Sequence, residues 1–177
     1  GKLKGRFYLD LFPRPNKETW FYGVNIVSGK GNEIPVSMLL GNFTRPTKTQ
    51  PSLLNQKELK TLFHEFGHIM NMMSYHGEFS SQSESKADFT EAMSQIFENW
   101  ISDYGVVSTF AKHYKTGEAL PKATFDKLLE SKKVGSGVAS IQMLIRCLYD
   151  MNLYDKYNAA NPVKTDDIWK QIDNQLG

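Results

Sequence analysis

Hydrophobic positions in this chain change period once. Up to about residue 43 they come in short β-rich runs bounded by prolines and glycines, and beyond residue 55 they recur every three to four residues. Residues 6–12 (RFYLDLF) alternate Phe7, Leu9 and Leu11 with Tyr8 and Asp10 and stop at Pro13. Residues 20–27 (WFYGVNIV) predict a second strand, closed by the turn-forming run SGKGN. Residues 34–43 (IPVSMLLGNF) predict a third. Pro35 cannot donate to a ladder, which argues for an edge strand or a strand start, and Gly41 lets another backbone come close.

Helical periodicity begins after a polar loop. Asn55 followed by Glu58 reads as a capping box, and the helix it opens runs over residues 56–74 before Gly77 stops it. Its apolar stripe is Leu59, Leu62, Phe63, Phe66, Ile69, Met70 and Met73. After a loop at 80–85, Phe89, Ala92, Met93, Ile96, Phe97 and Trp100 form a second stripe, with Asp88, Glu91, Gln95 and Glu98 on the opposite face. Pro121 suits the first turn of a third helix, Gly135-Ser136-Gly137 breaks it, and a long helix follows. That helix is expected to bury Val138, Ile141, Leu144, Ile145, Leu148 and Met151. Thr165 caps a last helix carrying Ile168, Trp169 and Ile172. The pattern predicts an α+β chain, mostly α, with a small N-terminal antiparallel sheet followed by a helical bundle. It is expected as a single domain: sheet and loop over 1–54, two helices over 55–104 and a helical part over 105–177.

Composition narrows the function classes. The 177 residues carry 21 Lys and Arg against 19 Asp and Glu, and the lysines are scattered, so no nucleic-acid or membrane patch is expected. No run is long and apolar enough to span a membrane, and no signal peptide is read; the cytoplasm is the favoured compartment. Cys147, the single cysteine, lies within an apolar helical pattern and is expected as a small buried core residue. The chain starts at Gly1 close to its first strand, which suggests a piece of a longer protein.

The chemistry concentrates in residues 62–70, LFHEFGHIM. His64 and His68 stand one helical turn apart, so both imidazoles reach one zinc ion. Glu65 lies on the flank of the same face, placed to act on a water at that site. A catalytic zinc takes three protein ligands and keeps one open position. A third histidine six residues after His68 would mark the metzincins, but that position is Ser74. Candidates for the third ligand are His76, Glu78, Glu84, Asp88 and Glu91. The first three sit in or beside the inter-helix loop, while Glu91 lies mid-helix, where a ligand is held rigidly, and ranks ahead of Asp88.

FHEFGH followed by DFTEAMSQIFENW resembles the thimet oligopeptidase family, which includes neurolysin and the bacterial peptidyl-dipeptidases. GRFYLDLFPR, GNFTRPT and PSLLNQKELKTLFHEFGH resemble it too, from about Gly5 to the GSG break. The resemblance implies a zincin-type fold, one Zn2+ per chain held by His64, His68 and Glu91, and Glu65 as general base. It implies hydrolysis of short peptides, by endopeptidase or dipeptidyl carboxypeptidase action. The family's usual histidine three residues after the second ligand is Asn71 here, and its proline after Glu-Ala is Met93. Its helical region before this segment and its glycine- and tyrosine-rich substrate loop after it are not among these residues, so the rest of the enzyme chain is expected elsewhere and turnover by this piece is expected to be weak or absent.

Substrate is expected to lie along the third strand at Met38, Leu40, Gly41 and Asn42, with Asp88 and Gln95 orienting ligands from one turn either side of Glu91. The competing class is a non-catalytic zinc-binding or interaction domain. Loss of Glu65 would have marked it, and Glu65 is intact.

Overall fold

The computed structural model describes every residue except Lys156 and Gly177. The chain divides into two compact units, Gly1–Leu120 and Pro121–Gly177. The α+β expectation holds: one three-stranded sheet and six α-helices. Among the described residues no helix is long and apolar enough to cross a membrane.

In the first unit, β1 (Arg6–Asp10), β2 (Tyr22–Val27) and β3 (Val36–Leu40) form a sheet of order β1-β3-β2. The sheet is mixed and not antiparallel as expected: β3 pairs parallel to β1 and antiparallel to β2. The reason is that β3 inserts between the first two strands, so β1 and β2 run oppositely without touching. β3 is therefore central, not an edge. Pro35 remains compatible with this because it precedes the ladder, where its missing N–H costs nothing and its carbonyl accepts from Arg6. Leu39, Leu40 and Phe43 are buried, whereas Phe7 and Leu9 on the outer strand stay about half exposed.

A buried cation ties the strand ends together. The Lys17 side chain is 2% exposed, and its Nζ donates to the carbonyls of Asp10, Phe12 and Gly41 at 2.7, 2.9 and 2.6 Å. It also pairs with the Asp10 carboxylate at 3.0 Å. The hydrogen bond from Lys17, with help from Arg14, holds the Asp10 carboxyl below the usual carboxylate range despite partial burial.

α1 (Gln56–Ser74) has the predicted bounds. Asn55 accepts from Glu58 N and the Glu58 side chain accepts from Asn55 N, a complete capping box. Phe66 meets Phe7 edge-on at 5.2 Å and Phe97 at 6.4 Å, so α1 lies between the sheet and α2 (Thr90–Glu98). A 3₁₀ turn over Asn99–Ser102 and α3 (Tyr104–Phe110) follow. The α2 stripe is only partly used: Phe89, Ile96 and Trp100 are about half exposed, and the fully buried residue of α2 is Ser94. The cause is the crossing with α1. A Cβ on Gly67 would stand 2.6 Å from Ser94 Cα and 2.8 Å from the Met93 carbonyl, so the two helices meet backbone to backbone.

The second unit comprises α4 (Lys122–Lys133), α5 (Ser136–Tyr154) and α6 (Thr165–Leu176). Gly135, at φ 74°, supplies the left-handed break between α4 and α5. α5 packs on α6, with Tyr149 edge-on to Trp169 at 5.6 Å and Ile168 and Ile172 buried. No α5 residue is fully buried, and Val138, Ile141, Leu144 and Met151 are exposed. Cys147 is exposed too, against expectation, because α5 turns little of its surface to α6.

Lys17→Met should lower unfolding stability by roughly 1–3 kcal/mol, since the Phe12 and Gly41 carbonyls lose their donor while Asp10 keeps Arg14; urea titration reads this, and a loss within error would refute the clamp. Gly67→Ala should cost about 1–3 kcal/mol by forcing the helices apart, whereas Gly137→Ala, where added volume meets open space, should not destabilise.

Candidate metal centre

Two helices position the cluster. On α1, His64 and His68 project from the same face with ring centroids 5.0 Å apart and planes at 83°. On α2, Glu91 sits in the first turn and not mid-helix as expected, because the helix opens only at Thr90. Because Gly67 and Ser94 allow backbone contact, Glu91 Oε2 comes within 3.1 Å of His64 Nε2 and 3.4 Å of His68 Nε2. One donor atom from each residue lies within 4.8 Å of the other two.

Two of the three donors are held from behind. Glu98 Oε1 is 2.7 Å from His64 Nδ1, and since a carboxylate only accepts, Nδ1 donates to it and Nε2 is the ring nitrogen that faces the cluster. Glu98 is itself paired with Lys60 Nζ at 2.9 Å. Burial pushes the Glu98 carboxyl up, but hydrogen bonds from Lys60 and His64 outweigh it and keep the group below its ordinary value. Ser94 Oγ donates to Glu91 Oε2 at 2.8 Å, which holds the carboxylate in the direction of the histidines. Burial, aided by the neighbouring His64, pulls His68 below the usual imidazole value against the opposing pull of Glu91.

Glu65 is 8% exposed and stands apart from these three donors. Desolvation raises its carboxyl to about 7, with Glu91 adding to the rise and His64 and the Gly23 N–H opposing it. Two imidazoles and a carboxylate match the donor set of a catalytic zinc ligand trio, two nitrogens and one oxygen. The residues present therefore fit such an ion.

The other expected positions fall elsewhere. Asp88 and Gln95 are exposed and make no hydrogen bond to the cluster; Glu98 on α2 does that work. His76, Glu78 and Glu84 are exposed and outside the cluster. Met38 and Leu40 lie on the central strand, paired on both sides. Gly41 donates to Asp10 O and accepts from Lys17, and Asn42 Nδ2 donates to Glu18 O and Trp20 O. This segment has no free edge for strand addition. The free edge beside the cluster is β2, whose Gly23 N–H points to Glu65.

Sequence reasoning missed Gly67, Ser94 and Glu98 as parts of the centre. Spacing held a signal for each. Gly67 follows His64 by three residues, while Ser94 and Glu98 follow Glu91 by three and seven on the same helix face.

Comparison with known proteins bears on the whole chain. The profile of Peptidase family M3 matches residues 1–177. The chain is similar to Thimet-like oligopeptidase of Dictyostelium discoideum, 36% identical over 181 residues, covering 97% of this chain and 27% of the relative. Mitochondrial intermediate peptidase of Rattus norvegicus is 35% identical over 98% of this chain and 25% of its own length. Probable cytosolic oligopeptidase A of Arabidopsis thaliana is 32% identical over 89% of this chain and 24% of its own. The chain thus spans about a quarter of the length of the relatives it matches. With the profile matched from end to end, this chain belongs to peptidase family M3.

Proposed function

We propose that the chain carries the zinc centre of an oligopeptidase that hydrolyses short peptides. The observation that carries this reading is the convergence of His64 Nε2, His68 Nε2 and Glu91 Oε2, with the buried Glu65 carboxyl next to His64 on α1. Zinc bound there supplies Lewis acidity for the scissile carbonyl and for water. His64 and His68 present lone pairs, the first through its Glu98 hydrogen bond. Glu65 takes the proton of the attacking water and passes it to the leaving amine nitrogen, a task suited to a carboxyl near 7. The neighbouring strand β2, and not β3, offers the edge along which an extended peptide lies. A closed substrate channel is not built by these residues, and turnover by this chain alone is slow. The family works in more than one setting, since one relative is named for the mitochondrion and one for the cytosol.

Elemental analysis at neutral pH should give near one zinc per chain, falling to near zero in Glu91→Ala and staying near one in Glu65→Gln. Residual peptide cleavage should vanish in both. Zinc uptake that ignores Glu91, or cleavage that survives Glu65→Gln, would sink the reading.

Glu65 also predicts a pH dependence in the zinc-free protein. Its folded carboxyl titrates near 7 and its unfolded one near 4.5, so the folded state is favoured by protonation. Its contribution to stability is complete below pH 4.5 and lost as pH rises to 7. Glu65→Gln should therefore melt higher than the parent at pH 8, with the gain shrinking between pH 7 and pH 4.5; a gain independent of pH would refute the burial effect.

A further inference from the structure

On the His68 side of the cluster lies a cleft of about 440 Å³. Its walls include Asn25 on β2, His68 and Asn71 on α1, and Ser83, Glu84 and Ser85 in the connection to α2. β2 shifts register between Asn25 and Val27, a bulge of the kind that re-aims a side chain.

The hydrogen bonds of this wall are one-sided. Asn71 Nδ2 donates to Ser85 Oγ at 2.8 Å. Asn25 Nδ2 donates to Ser28 Oγ at 2.8 Å and reaches Ser83 Oγ at 3.4 Å, and the two serine hydroxyls bond to each other at 2.9 Å. Both amides are spent on serine hydroxyls of the wall. Asn25 Oδ1 is buried and has no donor among the described residues. Glu84 adds an exposed carboxylate, which only accepts. The cleft therefore carries one exposed negative charge, Glu84, on the wall that also holds a proposed metal ligand.

We propose that this cleft is a specificity subsite for a peptide side chain rich in hydrogen-bond donors, arginine or lysine, next to the bond that is cut. The proposal rests on the oligopeptidase reading for the presence of a peptide along β2. Guanidinium brings five N–H donors and ammonium three, with a charge opposite to Glu84. An acidic side chain would meet Glu84 with like charge, and an apolar one would strip the acceptors of water without replacing its hydrogen bonds.

The test is fluorescence anisotropy of labelled, end-blocked hexapeptides on the zinc-supplemented chain carrying Glu65→Gln, which suppresses turnover. Arginine, lysine, citrulline and glutamate are placed in turn at each position. At one position arginine and lysine should bind at least about fivefold tighter than citrulline and glutamate, the upper range for a partly solvated ion pair. Glu84→Lys, at an exposed site that does not threaten folding, should reverse the order, and Glu84→Gln should shrink the arginine advantage. Equal affinities, a preference untouched by Glu84→Lys, or no binding by any peptide would overturn the proposal. Zinc content on the same samples separates the two readings: one zinc per chain without side-chain preference sinks the subsite alone, and near-zero zinc sinks the metal centre whatever the peptides do.

Discussion

The contact between Gly67 and Ser94 sets the geometry on which everything at the centre depends. Histidines four apart on one helix provide two ligands to any passing cation, but the third must come from a separate element at a defined height and distance. A side chain at 67 would force the helices apart by more than the 3.1 and 3.4 Å separations now tolerate. Ser94 serves twice. It is small and fully buried at the crossing, and its hydroxyl anchors the Glu91 carboxylate one turn back. Close packing and ligand placement are thus a single feature of the two helices.

That closeness has an electrostatic cost. Three carboxylates, Glu65, Glu91 and Glu98, gather around two imidazoles in a part-buried space. The structure treats each differently. Glu98 is kept ionised by Lys60 and His64, Glu91 is more than half exposed, and Glu65 bears the desolvation and rises to about 7. In the proposed centre, environments that push carboxyls apart in this way would separate the jobs of orienting, ligating and moving a proton. A divalent cation among the donors would draw the Glu65 carboxyl back down by its charge.

The sheet contributes by its topology. Inserting β3 between β1 and β2 buries the most apolar strand and leaves β2 as the edge beside α1. Lys17 makes the insertion durable by bonding carbonyls on both sides of the β1–β3 junction. Both the open edge at Gly23 and the cleft at Asn25 follow from that order of strands.

Local features were legible from residues alone. The capping box at Asn55 and Glu58, the bounds of α1, the start of α4 after Pro121 and the pairing of His64 with His68 depend on neighbours a few positions away, and spacing encodes them. Glu91 was legible as an acidic candidate on the next helix, with the family resemblance choosing it, but not its place in the first turn. Strand order, the mixed sheet and the central place of β3 were not, since a proline at a strand start reads the same in an edge or a middle strand. The burial expected for Ile96, Trp100 and Cys147 failed for a related reason: periodicity tells which face is apolar, and only packing decides how much of that face is covered. Asp88, Gln95 and Glu98 share one polar face in the sequence, and only the crossing at Gly67 decides that Glu98 alone reaches His64. Sequence by itself determined which residues bring the chemistry; tertiary structure decided which of them meet, because a distance between two helices is set by the smallest residues where they cross.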